Sequence, residues 1–269
     1  MNDTTEEFAD RLFRSALGTA EVLSIYLGDR LGWYRALAEG GPATADELVA
    51  RAGGASRYAK EWLEQQASSG ILTVDGDGRF VLPRGAAEVL TDTTSLNYLA
   101  PLARMLSAAA TQLPALLDAY RTGGGVGWAQ FGTDMRESQA DMNRPWFEHA
   151  LPGALAGVAD LDEALRRPGA RIADIGTGAG WSAIALARAY PGATVQGFDV
   201  DPPSIELATA NARAAGLATG SPSTSRTPPG WASVGSTRRS RSSASTTCRA
   251  RWRCSPRSAP RCARAGRWS

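Results

Sequence analysis

Arg171-Ile-Ala-Asp-Ile-Gly-Thr-Gly-Ala-Gly-Trp181, then Ser182 to Tyr190, then Ala193-Thr-Val-Gln-Gly-Phe-Asp-Val-Asp201, is the stretch that decides the fold. Apolar residues run up to Asp174, glycines sit at the alternate positions 176, 178 and 180, and the Ala/Ile/Leu spacing of 181–190 is helical. The pattern predicts strand, tight loop, helix, and then a second strand ending on an acid. Such a unit lets a ligand approach bare backbone at Gly176 and Gly178 and meet the positive end of the next helix. Asp199, about twenty residues on, is placed to hold ribose hydroxyls.

The loop spacing is G-x-G-x-G after an acid, not the G-x-G-x-x-G of a dinucleotide fold. Asp174-x-Gly176-x-Gly178-x-Gly180 resembles the first motif of the class I S-adenosylmethionine-dependent methyltransferases. The resemblance covers 170–217. It implies that Asp174, Gly176, Thr177, Gly178 and Gly180 surround the methionine end of S-adenosylmethionine, that Asp199 binds the ribose, and that Val200 lies against the adenine. Another Rossmann-like nucleotide binder is the alternative, since a glycine-rich loop by itself is weak evidence.

Outward from this unit the composition divides the 269 residues sharply. Residues 1–219 carry 18 basic against 27 acidic side chains, while 220–269 hold eleven arginines and no acid. The overall +2 therefore describes neither part. An apolar content of 43% suffices for a core. No run of about eighteen apolar residues and no leader pattern is present, so we expect no membrane span and a cytoplasmic protein.

Toward the N-terminus, Thr4–Thr19 and Ala20–Glu39 read as two amphipathic helices, with Phe8, Leu12, Phe13, Leu17, Val22, Leu23, Tyr26 and Leu27 among their apolar residues. Packing or dimer contacts are the expected use. Thr44 and Glu47 form a capping box before Leu48, and Ser56 is placed to cap a helix over 57–69. Ile71–Val74 and Arg79–Leu82 flank Asp75-Gly-Asp-Gly78, a hairpin. Helix, turn, helix, hairpin is a winged-helix module.

Charge tests the DNA-binding reading of that module. Its would-be recognition helix sets Arg57 and Lys60 against Glu61 and Glu64, and the module is not basic, whereas phosphate contacts need a positive face. DNA is a possible partner but not the favoured one. A dimerising module that helps roof a substrate pocket agrees with what the methyltransferase resemblance implies: a homodimer through the N-terminal helices and a small-molecule methyl acceptor.

Leu96–Tyr120 reads as helix broken at Pro101 and Pro114. The glycine-rich loop 123–127 leads to Trp128 and Phe131, and Met142, Trp146, Phe147 and His149 follow on a short helical stretch. The aromatics either pack an interdomain core or close over a substrate. His149, the single histidine, is a candidate general base without an identifiable partner. The catalytic residue is otherwise unassigned and no metal site is expected.

Beyond Leu217 the chain has no Leu, Ile, Phe, Tyr, Met, Asp or Glu. No strand can be read there, and its composition predicts disorder. Cys248, Cys254 and Cys262 match neither a zinc pair nor a redox motif. Plausible GC-rich codons read one base earlier turn Ser242–Ser255 into a strand running into an acid-and-histidine loop, and Cys262–Trp268 into a Pro-Gly-Gly turn. Both resemble missing family segments, so the tail reads as a frameshifted, truncated methyltransferase end. An authentic Arg/Ser-rich polyanion-binding tail is the alternative.

The expected fold class is α/β: an N-terminal α-helical winged-helix domain plus an incomplete Rossmann-like parallel-sheet domain. The expected segments are 1–95, a helical linker and lid at 96–160, the first half of the nucleotide domain at 161–218, and the tail at 219–269. The resemblance implies methyl transfer, with the activity of this chain in doubt. The competing function is a winged-helix transcriptional regulator whose methyltransferase-like half senses a ligand.

Overall fold

The computed structural model describes residues 4–217. The cysteine, tail and reading-frame expectations lie outside the described residues.

The first helix, α1 (Thr5–Arg30), begins at a capping box: the Glu7 N–H donates to Thr4 Oγ1 at 3.2 Å and the Thr4 N–H to Glu7 Oε2 at 2.8 Å. The expected break near residue 19 is absent. Gly18 stays in the helix, since a glycine there costs only about 1 kcal/mol relative to alanine and nothing replaces the backbone ladder. The helix stops instead at Leu31, before Gly32 at φ +70°.

Four elements then build the small module: α2 (Trp33–Gly40), α3 (Ala45–Ala52), α4 (Ser56–Ser68) and the hairpin of β1 (Thr73–Val74) with β2 (Phe80–Val81). The Thr44–Glu47 capping box forms as expected, but Ser56 is already inside α4, whose N-cap is Ala55 with no side-chain bond. The Asp75 carboxylate accepts from the N–H groups of Asp77 and Arg79, which closes the wing turn at Gly78 (φ +78°). Arg79 pairs with Glu47 and holds that carboxyl down at about 2, and Ala43 bridges Phe80, so the wing is fastened to α3.

The core is aromatic. Trp33 and Tyr34 each meet Trp62 edge-on at 5.0 Å, with Leu37, Leu48, Leu63 and Leu72 around them. Helix α1 crosses this cluster at Gly28, where a Cβ would lie 2.3 Å from Trp62 Cζ2 and 2.7 Å from Tyr34 Cε2. Gly28→Ala is therefore expected to destabilise the module by about 1–3 kcal/mol, read as a lower midpoint in urea.

After α5 (Arg84–Thr91), α6 (Ala100–Thr111) and α7 (Leu113–Thr122) each carry their proline in the first turn. Pro101 and Pro114 begin helices; they do not break one. A 3₁₀ turn at Trp128–Phe131 opens α8 (Gly132–His149), which is far longer than its sequence suggested and retains Pro145. Helix α8 packs on both α6 and α11. Helices α9 (Leu151–Ala156) and α10 (Ala159–Arg166) lead to β3 (Arg171–Ile175), α11 (Trp181–Ala189), β4 (Thr194–Phe198) and α12 (Pro202–Ala214).

Strands β3 and β4 are parallel and in register from Arg171↔Thr194 to Ile175↔Phe198. Helix α11 packs on β4 and against α12. The chain thus has a helical winged module and a two-stranded parallel α/β unit among its described residues.

Candidate functional site

The carboxyl ends of β3 and β4 lie side by side, the place where open parallel sheets bind ligands. The loop 176–180 is pinned there from two sides. The N–H groups of Gly176 and Thr177 both donate to the Phe198 carbonyl, at 2.8 and 3.0 Å. The Gly178 N–H donates to Asp199 Oδ2 at 2.8 Å, so the carboxylate that ends the second strand turns toward the glycine loop. Its other oxygen accepts the Asp201 N–H at 3.0 Å.

Asp174 has a different task. Its Oδ2 accepts the Thr177 hydroxyl at 2.7 Å and the Ser182 hydroxyl at 2.6 Å, tying the strand end to the loop and to the first turn of α11. Thr177 is tucked inward as a result, and Gly197 makes room for it: a Cβ there would fall 2.8 Å from Thr177 Oγ1.

The three glycines divide by role. Gly176 (φ +76°) and Gly178 (φ +53°) take conformations that favour glycine, and a Cβ on either would meet open space. They leave bare backbone at the carboxyl ends of β3 and β4. At Gly180 (φ +81°) a Cβ would press on Ala208 of α12 at 2.9 Å. Its bareness therefore serves helix packing. Val200 is 93% exposed, and Ile175 is also exposed at the end of β3.

Sequence reasoning missed the support behind these residues. Asp201 caps α12, accepting from the Ser204 amide (3.1 Å) and hydroxyl (2.7 Å), and Arg136 of α8 grips it with Nε–Oδ2 at 2.6 Å and Nη2–Oδ1 at 3.3 Å. The Arg136 bond, with Ser204 adding to it, holds the Asp201 carboxyl below the usual carboxylate range. The Asp-Pro-Pro run was a readable cap signal. Nothing in the sequence pointed to Arg136, Ser182 or Gly197. Arg144 lies over the Trp181 ring at 3.9 Å, a second tie between α8 and the α11 start.

The aromatics of the linker do not form a closed core. Trp128 stands 6.5 Å from Phe131 and Trp146 5.7 Å from Phe147, and both tryptophans are exposed. His149 is exposed at the end of α8. Asp92 is held below its ordinary value first by the Thr94 hydroxyl and amide. On α4, Arg57 pairs with Glu61 at 3.2 Å and Lys60 with Glu64 at 3.8 Å, so each of these cations has an acid one turn on.

Residues 19–92 match the family described as Rv2258c-like winged HTH domain, and residues 156–225 match Methyltransferase small domain. The release factor glutamine methyltransferase of Gloeobacter violaceus is 48% identical over 64 residues, which are 24% of this chain and 22% of that protein. Human N-acetylserotonin methyltransferase in complex with SAM superposes with a TM-score of 0.57 at 20% identity, over 78% of this chain and 64% of its own. An O-methyltransferase family protein from Burkholderia thailandensis gives 0.53 at 20% identity, over 81% and 62%. The chain spans less than two thirds of both structures. It carries a winged helix-turn-helix domain followed by a methyltransferase-like α/β domain with a small parallel sheet.

Proposed function

We propose that the crevice at the ends of β3 and β4 binds S-adenosylmethionine, and that the chain is the front part of a methyltransferase acting on a small-molecule acceptor. One observation carries this: the Gly178 amide engages Asp199, and the Gly176 and Thr177 amides engage the Phe198 carbonyl. A pyrophosphate would need such N–H groups to point outward. A nucleoside without phosphates needs an acceptor for its ribose, a bare loop to lie on and an apolar wall.

Asp199 retains lone pairs after its two backbone bonds and accepts the ribose hydroxyls. Val200 covers the adenine, and Gly176 and Gly178 let the methionine portion approach the loop. Asp174, through Thr177 and Ser182, sets the loop's shape on that side. Gly180 keeps α11 close to α12. The bound sulfonium supplies an already activated methyl group. The chain's own task is to orient it and exclude water, and the exposed Trp128 and Trp146 are suited to covering an acceptor.

Calorimetric titration of the full chain with S-adenosylmethionine tests the reading. Heat of binding that an excess of S-adenosylhomocysteine suppresses is expected, and sequence-specific, salt-sensitive DNA binding without any such heat would favour the regulator. The α4 ion pairs argue against that outcome.

The partner reading extends to a homodimer. Phe8, Leu12, Phe13 and Leu17 stand exposed along α1, with Phe13 at 63%. Contiguous apolar surface of this kind marks an interaction face. Leu12→Glu combined with Phe13→Glu is expected to convert a dimer to monomer in sedimentation equilibrium. Among the described residues no helix is long and apolar enough to cross a membrane; we infer a cytoplasmic location. For the residues after Leu217 we infer a shifted reading frame, which the nucleotide sequence around codons 217–220 checks directly.

A further inference from the structure

We propose that Arg136 is a positioning residue for the ribose end of the crevice, acting through Asp201 and Asp199; this rests on the reading of that crevice given above. The chain of contacts is short. The Arg136 guanidinium, 12% exposed, forks onto the Asp201 carboxylate, 5% exposed. The main-chain N–H of that same Asp201 donates to Asp199 Oδ1, while the Gly178 N–H fixes Oδ2. Asp199 is thus held by two amides, one belonging to the glycine loop and one to the residue Arg136 grips. A planar fork on a carboxylate fixes orientation as well as position. A site acid held in one orientation by such support binds more tightly than one that must be ordered by its ligand.

Arg136 itself is anchored from the other side. Two residues before it on α8, Asp134 accepts the Tyr26 hydroxyl at 2.8 Å and pairs with Arg30, both on α1. Further along α8, Asp141 Oδ2 accepts from Arg104 of α6 at 2.6 Å. The winged module therefore sets the place of α8, α8 sets Asp201, and Asp201 sets the acid that meets the ribose. A merely structural ion pair would join α8 to α12 and affect every ligand alike.

The test uses the full chain, Arg136→Leu and, as a milder variant that keeps the cap on Ser204, Asp201→Asn. Calorimetry compares S-adenosylhomocysteine with its 2′,3′-dideoxy analogue. Arg136→Leu is expected to weaken S-adenosylhomocysteine about tenfold or more and to leave the dideoxy analogue within about twofold, with Asp201→Asn intermediate and Arg136→Lys only partly restoring binding. Hydrogen exchange supplies a readout without ligand: the Asp201 amide is expected to lose about tenfold protection in Arg136→Leu, while the Thr194 amide, bonded to the Ala170 carbonyl at 2.8 Å, keeps its own. Equal weakening of both ligands, or unchanged Asp201 protection, overturns the positioning role while leaving the crevice assignment standing. Failure of the unmodified chain to bind either ligand overturns the crevice assignment, and this role with it.

Discussion

Asp199→Ala is expected to weaken S-adenosylmethionine binding at least a hundredfold, to the point where calorimetry registers no saturation. Two hydrogen bonds from ribose hydroxyls to an ionised acceptor contribute together roughly 3 kcal/mol or more, which is that factor. The substitution also releases the Gly178 and Asp201 amides, so part of the loss reflects a loosened loop. Asp199→Asn separates the two effects. Its single carbonyl oxygen can keep one of the amides, so thermal stability falls less than in the alanine variant, whereas ribose recognition still loses the charged acceptor. Unaltered affinity in both variants would mean that the ligand does not meet this acid at all.

The second large effect is on stability. Arg104→Leu is expected to cost about 3–5 kcal/mol, measured by urea unfolding, because it strands a buried carboxylate. Arg104 is 5% exposed and lies between Asp29 of α1, itself 9% exposed, and Asp141 of α8. Its Nε is 3.0 Å from Asp29 Oδ2 but without hydrogen-bond alignment, so that contact is ionic, and the Asp141 contact at 2.6 Å is the directional one. Asp29→Asn with Arg104→Leu is expected to cost less than Arg104→Leu alone, since it leaves a neutral amide in place of an unpaired charge.

The pH dependence of that variant follows in sign. Burial raises the Asp29 carboxyl above its ordinary value, and Arg104 is the largest influence opposing the rise. Removing Arg104 pushes it higher still. An acid with a raised value in the folded state binds its proton more tightly there than in the unfolded chain, so its stabilising effect is present at low pH and is lost as pH climbs through the folded value. The deficit of Arg104→Leu relative to the unmodified protein is therefore expected to be smaller near pH 4 than near pH 7.5, with the ordinary aspartate value at about 3.9 as reference. A deficit that grows on acidification would show that Asp29 is not the stranded group.

The strand–loop–helix–strand unit was legible because its signals are local: alternate glycines, a helical period, an acid after an apolar run. The Thr44–Glu47 box and the Asp75–Gly78 turn were legible for the same reason. Helix α8 was largely missed. Its first eight residues, Gly132-Thr-Asp-Met-Arg-Glu-Ser-Gln139, show little apolar periodicity, and packing against α6 and α11 overrides that weak pattern. The division of the glycines was hidden too. Gly176, Gly178 and Gly180 look alike in the sequence, and only the approach of Ala208 shows that one of them faces protein. Arg136 was unreadable because its partner is 65 residues away and the link exists only once α8 has docked.

The internally bonded loop bears on competition inside a cell. ATP and the nicotinamide cofactors share the adenosine portion of the proposed ligand and are abundant, so recognition of base and sugar alone would leave the crevice crowded by the wrong molecules. With the Gly176, Thr177 and Gly178 amides already turned to Phe198 and Asp199, a triphosphate entering here would lose water from its charged oxygens and find a carboxylate where it needs donors. In the proposed site, selectivity against such metabolites comes from three loop amides already taken, two by the Phe198 carbonyl and one by the Asp199 carboxylate, whose charge also repels phosphate.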